Sequence, residues 1–393
     1  MININMMIEN NINNKNSKTP EDYLNPKINK VEAYSPNSET DTAQIEQIEQ
    51  IEIRLDANES FANLPDYIIK DIQKNIENID FNRYPDPYAT NLIKKYAAYL
   101  KISENADIDI ENIAAGNGSD ELLSIIINAF LSKGDKILTF TPDFSMYAFY
   151  GDTAEAEVIK IQKSGDNNFA IDFDAIAEKI NKENIKIAVF SNPCNPTGQL
   201  ESKEVLKKFI KSADCVVVLD EVYMTFADGK QNQSFLYDFL EYPNLIVIKS
   251  LSKAVGLAAV RVGFALSNET FINMIKTLKS PYNLNAVSQK IAETVINYHE
   301  YLDEKLRNIK ENKEFLQTNI KNLTENKKNI KIYNTETNFI LIETDKINEA
   351  QKIFGFLLAN KIRVRNLGKG FLRITTGSRE ENERLIEVFR KYF

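Results

Sequence analysis

The sequence predicts an α/β protein: a mostly parallel sheet sandwiched by helices, with a smaller α+β domain at the C-terminal end. Three observations predict it. Short apolar runs at 136–140, 185–190, 215–219, 245–248 and 260–266 alternate with amphipathic stretches such as 174–182 and 203–212. Runs of that length, rich in Val and Ile, suit strands buried on both faces. Polar motifs follow four of these runs, and in open α/β sheets the site lies beyond the carboxyl ends of the strands. From about Asn285 the pattern changes to a long charged helical region, then short strands and helices, which is how a separate α+β unit reads.

Taken in order, residues 1–50 form an N-terminal arm. Its first 30 residues are rich in Asn and Lys without apolar periodicity, and residues 45–53 repeat Ile-Glu-Gln, a period that fits neither strand nor long helix. Tyr34, just before Pro36, is a candidate anchor within it. Residues 51–284 are expected to form the large domain, its first part packing with the small domain at 285–393. Ile53 to Glu59 reads as a strand ending in a polar turn. The stretch 65–79 reads as a helix opened by Pro65, with Ile68, Ile69, Ile72 and Ile76 on one face. A rigid loop, Asn82-Arg83-Tyr84-Pro85-Asp86-Pro87, leads to a second helix over 89–100. Ile113-Ala114-Ala115-Gly116-Asn117-Gly118-Ser119-Asp120 is a Gly-rich turn opening an apolar helix, with Ser119 or Asp120 as candidate N-cap. In the C-terminal unit the pattern gives one long helix over 285–322, a strand over 337–343, a helix over 347–360, and two short strands carrying Arg365 and Arg373. The last helix starts on a capping box at Ser378-Arg379-Glu380-Glu381.

Composition narrows the chemistry. The chain has 393 residues, 43% hydrophobic, with only 13 Gly and 11 Pro, so it is globular rather than low-complexity. A net charge of −8 argues against nucleic acid or an anionic membrane as partner. No apolar run of membrane-spanning length and no signal-peptide pattern is visible. Two cysteines, Cys194 and Cys215, supply neither a disulfide framework nor metal-ligand spacing, which points to a reducing cytoplasm and to no metal. The single histidine, His299, removes Ser-His-Asp and Cys-His catalysis.

What remains is a lysine. Ile248-Lys249-Ser250-Leu251-Ser252-Lys253 follows an apolar strand, and Arg261-Val262-Gly263 comes soon after. A poorly solvated lysine is a nucleophilic amine that condenses with an aldehyde. Ser250, Ser252 and Arg261 are candidate ligands for an anion beside it, and the helix N-terminus at Ser119 and Asp120 is a candidate phosphate cradle. An aldehyde joined to a phosphate describes pyridoxal phosphate (PLP). The rival reading, Ser250-Leu251-Ser252-Lys253 as the S-x-x-K of serine acyl-enzymes, lacks its companion motifs S-D-N and K-T-G.

Asn195-Pro196-Thr197-Gly198, Asp220-Glu221-Val222-Tyr223 and Ser250-Leu251-Ser252-Lys253 with Gly256-Leu257 and Arg261-Val262-Gly263, in that order, resemble the fold-type I, PLP-dependent class I/II aminotransferase family. The resemblance covers about residues 51–393. Arg83-Tyr84-Pro85-Asp86-Pro87, Gly116 to Glu121 and Leu372 to Gly377 resemble its histidinol-phosphate branch. The resemblance implies a seven-stranded sheet and a homodimer with shared sites. It implies that Lys253 holds PLP covalently and then moves the substrate proton, and that Asp220 pairs with the protonated pyridine nitrogen. A unit charge pair near 4 Å at an effective dielectric of 20 contributes about 4 kcal/mol, or about three pKa units. Tyr223 and Asn195 would bond the 3′ oxygen and Phe144 would stack on the ring. Ser119, Asp120, Ser250, Ser252 and Arg261 would bind the phosphate, and Tyr84 would reach the phosphate in the other subunit. Arg373 would grip the substrate anion, with Arg365 as a second ligand and Asn58 and Tyr34 as further substrate contacts.

The activity so implied is transamination of histidinol phosphate with 2-oxoglutarate, giving imidazole-acetol phosphate and glutamate. An aromatic amino-acid aminotransferase and a threonine-phosphate decarboxylase are alternatives on the same fold. A PLP-sensing transcription regulator would need a basic DNA-binding domain, for which the polar first 50 residues are too short.

Overall fold

The computed structural model describes residues 19–25, 27–28 and 51–393. Tyr34 and the repeat at 45–50 lie outside the described residues. The strands in chain order are β1 (Ile53–Leu55), β2 (Ile113–Gly116), β3 (Lys136–Thr141), β4 (Glu157–Gln162), β5 (Ile187–Ser191) and β6 (Val216–Asp220). They continue with β7 (Leu245–Ser250), β8 (Gly263–Leu266), β9 (Ile330–Ile332), β10 (Phe339–Thr344), β11 (Ile362–Gly368) and β12 (Phe371–Thr375).

Seven strands form the large sheet in the order β2-β8-β7-β6-β5-β3-β4. All pairings are parallel except those of β8, which runs against both β2 and β7. Alternate residues of each strand go to opposite faces. Leu138, Phe140, Ala188, Phe190, Val217, Leu219 and Val247 join one core with helices Asp66–Ile76, Thr90–Ser103, Phe173–Glu183 and Lys203–Ser212. Ile137, Ile187, Val189, Val218, Ile246 and Ile248 join the other with helices Gly118–Phe130, Met146–Thr153 and Glu269–Leu278. Burial on both sides is why these strands carry no polar alternation.

A five-stranded sheet, β1-β11-β12-β10-β9, forms the second unit. Helices Ile347–Ala359, Arg379–Tyr392 and the middle of His299–Thr324 cover it through Leu357, Leu385, Phe389, Leu316 and Ile320. β1 pairs in parallel with β11, so the chain enters through the second sheet before building the first.

Several boundaries differ from the sequence reading. The expected helix over 285–322 is two, Ala286–Val295 and His299–Thr324. The first of these buries Ala292 and Val295 in the large sheet's core. Ser119 and Asp120 are not N-caps: Asn117 holds that position and the helix begins at Gly118. The strand expected from 260 starts at Gly263, because Ala258–Val260 is a 3-10 turn and Arg261 has a left-handed backbone with φ 54°. β2, β4 and β9 were not among the expected strands. The capping box at Ser378 and Glu381 forms as read.

Candidate active site

β3, β5, β6 and β7 end side by side, and their trailing segments form the floor of a cavity of about 770 Å³. The wall opposite comes from β1, β11 and β12 of the small sheet. Ser119, Asp120, Phe144, Asn195, Asp220, Tyr223, Ser250, Ser252, Lys253, Arg261, Asn58, Arg365 and Arg373 all line it. Among the expected site residues that are described, Tyr84 alone does not. It is 80% exposed on the outer surface, stacked on Tyr282 at 4.4 Å.

Lys253 sits on the loop after β7. Its Nζ donates to the carbonyl of Ala57 at 3.1 Å. Burial, reinforced by the nearby Arg373, pulls its pKa down from 10.5 to about 8, so a useful fraction of the amine is unprotonated near neutrality. Asp220 closes β6. Its Oδ2 accepts from Tyr147 Oη at 2.8 Å and its Oδ1 from the Val222 amide at 3.0 Å. Burial pushes its pKa up to about 7 despite these two donors. A carboxylate held there is short of a positive partner, the condition in which a cationic ring nitrogen would bind well. The neighbouring Glu221 is directed elsewhere. Fully buried, it pairs with Lys249 Nζ at 2.7 Å and takes the Phe235 amide at 2.7 Å, which ties the strand end down.

The anion cradle is a close approach between two elements. Gly118 has φ +83°, and a Cβ there would lie 2.5 Å from Arg261 Nη2. A Cβ on Gly263 would lie 2.5 Å from the Ser119 amide nitrogen. Both positions therefore require glycine. Arg261 donates to Asp120 Oδ2 at 3.0 Å and to Ser252 Oγ at 3.4 Å, and the Ser252 amide donates to Ser250 Oγ at 3.1 Å. Helix N-terminal amides, two hydroxyls and a guanidinium thus converge, a donor set suited to phosphate.

On the opposite wall Arg373 donates to Asn195 Oδ1 and to the Asp56 carbonyl, each at 2.7 Å. Its guanidinium lies 5.4 Å from the Phe339 ring centre. Arg365 is its cross-strand partner on β11. Asn58, in a left-handed conformation with φ 54°, donates from Nδ2 to Tyr223 Oη at 2.9 Å. The loop carrying Asn195 is held from behind. The Asn195 amide donates to Ser191 Oγ at 3.0 Å, Ser191 Oγ donates to Asp143 Oδ1 at 2.5 Å, and Lys163 Nζ lies 3.6 Å from Asp143 and 2.9 Å from Cys194 Sγ.

Sequence reasoning missed Tyr147, Asp56 and Arg363. Tyr147 lies three residues past Phe144, on the first turn of Met146–Thr153, and the two rings meet edge-on with centres 5.5 Å apart. Arg363 is two residues before Arg365 on β11, so the strand period puts both on one face. Among the described residues no cluster of His, Cys, Asp and Glu could hold a metal ion, and no helix is long and apolar enough to cross a membrane.

The profile for aminotransferase class I and II matches residues 50–389. A histidinol-phosphate aminotransferase from Clostridium kluyveri is 42% identical over 344 residues, 86% of this chain and 93% of that protein. One from Clostridium novyi is 39% identical over 346 residues, 87% of this chain and 92% of that protein. Among solved structures, the histidinol-phosphate aminotransferase of Sinorhizobium meliloti in complex with pyridoxal-5′-phosphate has a TM-score of 0.80, covering 94% of this chain and 98% of that one. Its sequence identity is 22%, so it speaks to the fold, the mostly parallel seven-stranded sheet expected from the sequence. The family profile spans nearly all of the two-sheet structure, and the chain belongs to the class I and II aminotransferase family.

Proposed function

We propose that the chain is a PLP-dependent aminotransferase that moves the amino group of histidinol phosphate to 2-oxoglutarate, giving imidazole-acetol phosphate and glutamate. The observation that carries it is a desolvated Lys253 set between a buried carboxylate, Asp220, and an arginine-lined wall, in a chain whose curated relatives bear that name.

PLP, when bound, supplies an aldehyde for amines and a ring that accepts electrons from the reacting carbon. Ser119, Asp120, Ser250, Ser252 and Arg261 would hold its phosphate. Phe144 would cover the ring face, Asp220 would meet the ring nitrogen, and Tyr223 with Asn195 would meet the 3′ oxygen. Asp220 works here as an anion: a cation beside it draws its pKa down from about 7 and locks the pair. Tyr147 fixes which way that carboxylate points. Lys253 Nζ serves twice, as the attachment point and then as the base that takes the proton from the substrate Cα. Its pKa near 8 lets it accept and return that proton near neutral pH. Arg373 and Arg365 orient the substrate through its anion, and the Asn58–Tyr223 hydrogen bond couples the substrate wall to the cofactor side.

Small molecules are the partners in this reading, with no role for nucleic acid or membrane. The working unit is a homodimer. Support for this is the exposed aromatic surface of Tyr84, Tyr88 and Tyr282, from which Tyr84, stacked on Tyr282, would reach a second copy's phosphate site. A cytoplasmic location accords with Cys194 and Cys215 being free thiols.

The test is amino transfer by purified, PLP-loaded protein, offered histidinol phosphate, phenylalanine, glutamate and threonine phosphate separately and analysed by mass spectrometry. Imidazole-acetol phosphate formed at micromolar histidinol phosphate, with glutamate as the other active donor, supports the reading. Transfer from phenylalanine alone moves the enzyme to aromatic amino acids, and carbon dioxide released from threonine phosphate makes it a decarboxylase.

A further inference from the structure

The side-chain pocket of such an enzyme has contradictory duties. With the phosphate of histidinol phosphate and the α-carboxylate of glutamate both held by the same anion ligands, the remaining substituent is an imidazole in one substrate and a carboxylate in the other. The first offers an N–H and the second offers only acceptors. One wall of the cavity presents both complements. Arg363 Nε lies 2.8 Å from Asp56 Oδ2 in an ion pair. Asp56 is 7% exposed, and its second oxygen, Oδ1, has no hydrogen-bond partner. Both residues line the cavity.

The pair is continuous with the anion ligands. The Asp56 carbonyl accepts from Arg373 Nη2, so one residue touches Arg373 with its main chain and Arg363 with its side chain. Arg363 and Arg365 lie on the same face of β11 two residues apart, and Arg365 is in register with Arg373. Strand geometry separates positions i and i+2 by about 6.6 Å. The two carboxylate carbons of an extended five-carbon diacid lie about 5 Å apart, within reach of two long arginine side chains on that spacing. Arg54, the register partner of Arg363 on β1, adds a second guanidinium beside it. Like charges on adjacent strands repel each other, an arrangement that favours an incoming anion.

We propose that the Asp56–Arg363 ion pair is a dual-specificity subsite: Arg363 takes the distal carboxylate of the dicarboxylate substrate, and Asp56 takes the imidazole N–H of the phosphate-ester substrate. The assignment rests on the proposed reaction, and its test separates the two. No covalent step is involved.

The experiment measures the two half-reactions separately and adds a binding arm on the PLP-loaded protein with glutarate and butyrate, which differ by one carboxylate. In Arg363→Gln the expected KM for glutamate rises about 10- to 100-fold, the scale of a lost charge-assisted contact. The preference for glutarate over butyrate collapses, while KM for histidinol phosphate stays within about threefold. Arg363→Lys recovers part of the glutarate preference. Asp56→Ala has the opposite pattern: histidinol phosphate weakens about 10-fold and glutarate binds as well or better. Equal losses for both substrates in either variant, or an Arg363→Gln protein that still prefers glutarate, would overturn the proposal. A wild-type protein that prefers glutarate but ignores histidinol phosphate would instead refute the proposed reaction, and the glutarate arm would still judge Arg363.

Discussion

Lys305 gives the sharpest prediction about how the lysine loop is held. It lies in helix His299–Thr324, is 5% exposed, and donates to the carbonyls of Val255 at 3.2 Å and Ala62 at 3.4 Å. It therefore joins that helix to the loop just beyond Lys253 and to the segment whose Ala57 carbonyl receives the Lys253 amine. Burial alone lowers its pKa from 10.5 to about 8. Between those two values the unfolded chain still binds the proton and the folded chain has released it, so this group makes stability rise with pH across the window. The full difference, 10.5 minus about 8, corresponds to about 3 kcal/mol at 1.36 kcal/mol per pKa unit. About 2.5 kcal/mol of it falls between pH 7 and pH 10. In Lys305→Met the desolvation cost vanishes, but two carbonyls lose a donor at about 1–3 kcal/mol each, so stability at pH 7 alone does not discriminate. The pH dependence does. Urea unfolding of both proteins at intervals from pH 7 to pH 10 should show the wild type gaining about 2.5 kcal/mol relative to the variant, other titrating groups cancelling in the difference. Curves that stay parallel within about 0.5 kcal/mol would mean that Lys305 is not held as a buried cation and that the linkage argument fails.

Four further outcomes are expected. Lys253→Ala should lose borohydride-fixable PLP by intact mass, with turnover lower by at least about 10³-fold. Tyr147→Phe removes a donor that holds the Asp220 pKa down, so the carboxylate's pKa rises above about 7; PLP affinity of the cofactor-free protein should fall about 2- to 10-fold at pH 7 and recover at higher pH, whereas a pH-independent loss would show that the hydroxyl does not act through Asp220. Gly263→Ala drives a Cβ into the Ser119 amide and should weaken PLP at least about 10-fold while affecting pyridoxal, which lacks the phosphate, much less, as equilibrium dialysis would report. Mixing inactive Tyr84→Ala and Lys253→Ala subunits should restore up to about a quarter of wild-type activity if sites are shared between two copies, and none if they are not.

The sheet was legible because strands buried on both faces leave unbroken Val/Ile runs, and because its ends carry Asp220, Lys253 and Asn195 in a fixed chain order. The same logic failed for β4, which lies at the sheet edge and reads Glu-Val-Ile-Lys-Ile-Gln with its residues only partly covered. It failed for β2 because four small or apolar residues before a Gly-rich turn look like the turn's own lead-in. The break between the helices at 296–298 carries no Pro or Gly, and tertiary packing of Ala292 and Val295 decides it. At the site, residues in the motif loops were legible and residues packed beside or behind them were not. Asp220 announces itself at a strand end, whereas Tyr147, which aims it, is one aromatic among many on a helix. Arg365 and Arg373 stand out as strand arginines. The role of Asp56 depends on a turn that brings its main chain to β12 and its side chain to β11, a juxtaposition of residues more than 300 positions apart. Motif order encodes which chemistry is present. If Asp56 and Arg363 divide the two substrates as proposed, that pair is where two members of this family with the same Lys253 loop would be expected to differ.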